Sequence, residues 1–325
     1  MTLNERTGPS NRHTENIGLH GYSIRFSPFN PNHLVVATSQ FFGLAGGGTL
    51  FLLESNSEDK LQELKSFQWT DGLFDVVWSE SDPTIVVTAS GDCCLQIWNL
   101  TGNQAPNILK EHTKEVYSVD WARTRCDQFV ISASWDCTVK LWDPNRKTSL
   151  NTFSGHDQLV YNAMWSPHIP NCFASVSGDG TMKLWNSLNS HYPSASYKVH
   201  DAEVLSCDWC KYDQNIIATA GSDGLIRGWD LRNLSQPFFQ LIGCEYAVRR
   251  IQFSPHNLST IASVSYDFTT RIWDFSKNSG PIETIKHHSE FVYGLDWNVL
   301  KRGQIGDCGW DSLVHVFTPS SLLHI

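Results

Sequence analysis

The sequence predicts an all-β chain closed into a seven-bladed β-propeller, and three observations predict it. A Trp-centred pattern recurs every 43 or 44 residues, each unit is a series of short β-branched and aromatic runs between turn residues, and no segment has helical periodicity. The length agrees: 325 residues exceed the usual single core, and seven units of about 44 residues use up nearly the whole chain.

Taken in order, residues 1–16 are polar and are expected to form a tail, with one propeller over 17–325. That tail has no apolar run fit for a secretion signal or a bilayer span, so neither export nor direct membrane insertion is expected. In repeat one, Leu53 takes the Trp slot, and Phe26 to Leu53 is longer than its counterparts through an insertion, residues 41–48 (FFGLAGGG). The insertion reads equally as a slack hairpin loop or as a functional one. Trp98, Trp142, Trp185, Trp229 and Trp273 mark repeats two to six, and Phe317 closes the series. Repeat three is the clearest: Val116 to Trp121, then 128–134, a Trp135-Asp136 turn, then Thr138 to Trp142. The fourth strand is less regular, as at 106–109. Residues 321–325 (SLLHI) are apolar enough to be expected as the last strand of blade seven.

With 41% hydrophobic and 18% charged residues the chain can bury a core. A net charge of −9 gives no electrostatic reason to hold a phosphate backbone, so nucleic-acid binding is not expected. Nine Cys without framework spacing read as reduced, buried thiols. Cys207 and Cys210 form a C-x-x-C inside an alternating strand, where residues three apart point to opposite faces roughly 10 Å from each other, a poor chelate. No metal motif, nucleotide loop or nucleophile elbow is present, and no cofactor is expected.

A His, Ser and Asp set recurs as His112, Ser134, Asp136, then His156, Ser177, Asp179, with His200 and Asp223 following. Catalysis needs such a set once; its repetition beside Trp142 and its equivalents assigns it to a buried hydrogen-bond network. Trp69 and Cys244 occupy the His slot in repeats two and six, where that network must be incomplete. With these G-H-like and W-D-like marks the units have the pattern of WD repeats. Two position sets should share one rim: three past the His slot stand Gly72, Glu115, Leu159, Glu203, Ala247 and Phe291, and before the turn Asp stand Gly91, Trp135, Gly178, Ser222, Tyr266 and Trp310. Glu115, Glu203 and Asp71 supply acid there, and Trp135, Tyr266 and Trp310 supply aromatic walls, which favours a peptide-docking surface.

Several runs fix residues that a blade does not need. Residues 71–80 (DGLFDVVWSE), 115–121 (EVYSVDW), 165–170 (WSPHIP), 206–212 (SCDWCKY), 228–233 (GWDLRN) and 265–269 (SYDFT) resemble the receptors for the type-2 peroxisomal targeting signal. The resemblance implies a non-enzymatic, soluble cytoplasmic receptor that cycles to the peroxisome. It would bind matrix proteins through an N-terminal signal: basic, aliphatic, five free residues, His or Gln, aliphatic. It also implies a co-receptor, the long form of the type-1 signal receptor or an equivalent, and the peroxisomal docking complex. On a helix, positions one, two, eight and nine of such a signal share a face, and a cation beside aliphatics matches carboxylates beside aromatic walls. The alternative is another WD-repeat scaffold, such as a ubiquitin-ligase substrate adaptor or a chromatin-peptide reader.

Overall fold

The computed structural model describes residues 10–56, 60–102, 104–122, 128–188, 191–277 and 280–323, with side chains from residue 13 onward. Seven antiparallel four-stranded sheets form the propeller. In blade three the strands run Val116–Trp121, Val130–Ser134, Thr138–Trp142 and Ser149–Ser154 from axis to edge. The two strands nearest the axis are buried throughout, whereas the outer one is partly open, because neighbouring blades cover the strands near the axis on both faces. Apolar residues of adjacent blades pack face to face, as where Ile131 and Val139 of blade three meet Trp165, Phe173 and Trp185 of blade four. Polar residues of the inner strands are used between blades. Asp120, Asp208 and Asp296 accept the backbone N–H groups of Trp165, Phe253 and Phe26 in the next blade at 2.7–2.8 Å. Among the described residues the helical segments are two three-residue turns, and no helix is long and apolar enough to cross a membrane.

Ring closure corrects the expectation for both ends. The outer strand of blade seven is Ser10–Asn16, paired antiparallel with Leu313–Thr318, so residues 10–16 belong to the propeller rather than to a tail. An outer strand is held by backbone hydrogen bonds to one neighbour, so polar side chains are no obstacle. The C-terminal segment does not take that place: after Thr318 the chain passes through Pro319 into the short helical turn Ser320–Leu322. There the N–H groups of Ser320 and Ser321 donate to the Glu283 carboxylate at 3.2 and 2.7 Å. Residues 324 and 325 lie outside the described residues.

Candidate functional site

The repeated polar set is a relay inside each blade, but its serine is not the expected one. In blade three, Trp142 Nε1 donates to Ser132 Oγ at 2.8 Å, Ser132 lies 2.7 Å from His112 Nε2, and His112 Nδ1 donates to Asp136 at 2.8 Å. Ser134 instead accepts the Asp136 N–H and donates to the Lys114 carbonyl, capping the turn. Blade four repeats this with Trp185, Ser175, His156 and Asp179, Ser177 taking the capping place. Blade five does so with Trp229, Thr219, His200 and Asp223. Burial works against ionisation of Asp136 and Asp179, yet the hydrogen bonds from their His and Thr partners outweigh it and hold both carboxyls well below the usual range. Ser132 and Ser175 are buried and bonded on two sides, so no substrate reaches them as nucleophiles. Where the His slot changes, the relay changes: in blade six Arg271 reaches Asp267 at 2.6 Å and Cys244 Sγ at 3.3 Å, and in blade two Trp69 packs edge-on against Trp98.

The two rim position sets lie side by side in all six repeats compared. The N–H of Gly91, Trp135, Gly178, Ser222, Tyr266 and Trp310 donates to the carbonyl of Gly72, Glu115, Leu159, Glu203, Ala247 and Phe291 at 2.9–3.1 Å. Just below, every inner strand carries an extra residue after its first or second pair: Tyr22, Phe74, Tyr117, Tyr161, Leu205, Arg249 and Tyr293. A bulge leaves its residue outside the ladder and re-aims it. Five of the seven are aromatic, and neighbours touch at centroid distances of 4.8–5.8 Å. Arg249 of blade six stretches over Tyr117 of blade three at 4.9 Å and Tyr293 of blade seven at 5.0 Å. The propeller axis is thereby plugged on this rim. Arg249 Nε and Nη2, the edge that grips a carboxylate with two parallel bonds, have no hydrogen-bond partner; the ring faces hold the charge instead. Sequence reasoning missed this layer, although its signal was an aromatic near the start of five of the seven first strands.

The expected aromatic walls rest on the plug. Trp135 stacks on Tyr117 at 5.2 Å, Trp310 stacks on Tyr293 at 4.8 Å, and the Tyr266 hydroxyl donates to that of Tyr293 at 2.9 Å. Phe291, also on the rim, packs against both Tyr266 and Trp310. The insertion in blade one joins them and is not slack. The Gln40 N–H donates to Gly47 O at 2.9 Å, Tyr22 donates to Phe42 O at 2.7 Å, and the Phe42 ring stacks on His20 at 4.1 Å and packs 5.2 Å from Trp310. Phe41 and Phe42 hold positive φ values of 43° and 57°, a strained pair that leaves Phe41 67% and Leu44 88% exposed. Burial, then the charges of Asp92 and Glu115, push the Asp71 carboxyl up although it accepts the Gly72 N–H. Tyr161 donates to Glu203 at 3.4 Å, linking that acid to the plug. The rim is therefore mixed on blade three, where Glu115 stands beside Trp135, with further carboxylates on blades two and five and further aromatic rings on blades six, seven and one. The opposite mouth holds a cavity of about 190 Å³, but its charges are already paired, Arg25 with Asp296 at 3.3 Å and Lys211 with Asp208 at 2.7 Å.

Cys207 packs among residues of blades four and five and Cys210 among those of blades five and six, so the two thiols face different cores.

Comparison with known proteins accords with this architecture. The WD domain, G-beta repeat, matches residues 61–99, 104–143, 147–186, 192–230 and 235–274. The chain is 49% identical over 306 residues to the peroxisomal targeting signal 2 receptor of Mus musculus, covering 94% of this chain and 96% of that one. It is 42% identical over 105 residues to the receptor of the same description from Saccharomyces cerevisiae, covering 32% and 28%. Among solved structures, the WD40 beta propeller domain of Doa1 superposes with a TM-score of 0.81 over 96% of both chains at 21% identity, which speaks to the fold alone.

Proposed function

The chain belongs to the family of peroxisomal targeting signal 2 receptors, carried on a WD40-repeat propeller, and from that membership we propose that it is a cargo receptor binding the N-terminal type-2 signal of peroxisomal matrix enzymes. The observation that carries this reading is the near full-length similarity to the mouse receptor. The rim, with both carboxylates and aromatic rings, supports it. A signal helix with a cation at one end and aliphatics along the same face lies across the plug, its cation toward Asp71, Glu115 and Glu203 and its aliphatics toward Trp135, Tyr266 and Trp310. The role is non-enzymatic: the protein binds, releases and cycles between cytoplasm and peroxisome. A co-receptor covers the docked helix and passes the complex to the docking machinery, which desolvates contacts that would be weak on an open surface.

The test is a pull-down of the purified chain, with and without co-receptor, on a signal peptide and on the same peptide with its sequence reversed. Retention by the forward peptide alone is expected. Equal retention by both peptides overturns the reading.

A further inference from the structure

Blade seven departs from its neighbours at four positions that converge on one point. The hydroxyl that closes the relay elsewhere is replaced by Asp307, and the Trp by Phe317. His287 precedes the slot residue His288, and His315 stands two residues before Phe317, where blades three and four carry Lys140 and Lys183. The three imidazole rings pack with centroids 4.1, 4.7 and 4.8 Å apart. One ligand nitrogen from each lies within 4.8 Å of the other two. The Asp307 carboxylate is 2.7 Å from His287 Nε2 and 3.2 Å from His288 Nε2. Donors around a tetrahedral zinc ion at 2.0–2.2 Å stand roughly 3.3 Å from one another.

The surroundings keep one relay contact and add others that would orient ligands. The His288 Nδ1–H donates to Asp311 at 2.9 Å and His315 Nδ1 meets Thr14 Oγ1 at 2.7 Å, the backing contacts that orient metal-binding imidazoles. His288 is bracketed by two carboxylates, Asp311 on Nδ1 and Asp307 on Nε2, which together favour positive charge at this point. His287 Nδ1 is buried without a hydrogen-bond partner, a cost that hydrogen bonding alone leaves unexplained. The His287 and Asp307 side chains are 2% and 0% exposed.

We propose that His287, His288, His315 and Asp307 hold one divalent transition-metal ion, zinc by donor type. Four protein donors leave no open position, so the site is structural. It ties three segments of blade seven together and, through His315 and Thr14, braces the N-terminal strand that shuts the ring.

The test uses the full chain stripped with a chelator and titrated with Co²⁺, followed by its visible absorption, by displacement with Zn²⁺ and by melting temperature. One equivalent of tetrahedral Co²⁺ is expected, with a melting temperature that rises with free Zn²⁺. His287→Gln and His315→Gln should weaken uptake at least about tenfold. Three results overturn the proposal: no uptake by the wild type, a thiolate-to-cobalt band that places the ion on cysteine, or wild-type affinity in folded His287→Gln and His315→Gln. The first two are read on the wild type and do not depend on the variants folding.

Discussion

Removing residues 2–16 deletes the strand that completes blade seven. Five register pairs join Ser10–Asn16 to Leu313–Thr318, and at about 1 kcal/mol net per backbone hydrogen bond the loss is on the order of 5 kcal/mol. That is a large part of a domain's total stability. In a chain of this length it corresponds to a fall in melting temperature of roughly 7 °C. Removing residues 319–325 instead costs two N–H donors to Glu283 and the partial packing of Leu322, about 2 kcal/mol and less than half that fall. The assay is thermal unfolding of the two truncated chains and the full chain in one buffer, read by calorimetry and by Trp fluorescence. If the C-terminal truncation melts as low as the N-terminal one, or the N-terminal one melts within about 2 °C of wild type, the closure argument fails.

Four further outcomes are expected. His156→Ala leaves Asp179 and Ser175 short of a partner and should cost about 1–3 kcal/mol in denaturant titration; because the depressed carboxyls of Asp136 and Asp179 contribute stability above the ordinary Asp range and lose it as pH falls through their folded values, acid unfolding should be less steep in this variant. Burial works against the charged form of Asp71 and pushes its carboxyl up, so Asp71→Asn should melt no lower than wild type while binding signal peptide more weakly, and a lower melting temperature contradicts this. Glu115→Lys and Glu203→Lys should each weaken peptide binding more than the matching Gln variants, by about 2 kcal/mol or more under a bound co-receptor and less as salt rises, whereas Glu63→Lys on an exposed outer strand should leave it unchanged. Cys207→Ser with Cys210→Ala should leave metal content unaltered, since the two thiols face different cores.

The repeat made the strands, the blade number and the rim legible, because the spacing of Trp98 to Trp273 fixes equivalent positions and equivalent positions fold alike. Ser132 and Ser134 were not separable: residues two apart on a strand share a face, and only the coordinates show which one meets His112. The plug was hidden for the opposite reason, since one bulged residue re-aims Tyr117 or Arg249 from where alternation would place it. Closure by Ser10–Asn16 left no trace in composition, because backbone groups carry that pairing. Glu115, Glu203, Trp135, Tyr266 and Trp310 do share the rim, but which of them stand near one another depends on which blades adjoin in the closed ring.

The arginine lying over two of the plug's five aromatic rings makes this face a dead end. A polypeptide can be laid on it and lifted off sideways, but it cannot be threaded through. Capture and release then require no free end and no unfolding, so a short helix at the head of an already folded enzyme can be picked up with its body left outside. The opposite mouth, sealed from this one by the Arg249 layer, stays available to another contact while cargo is held.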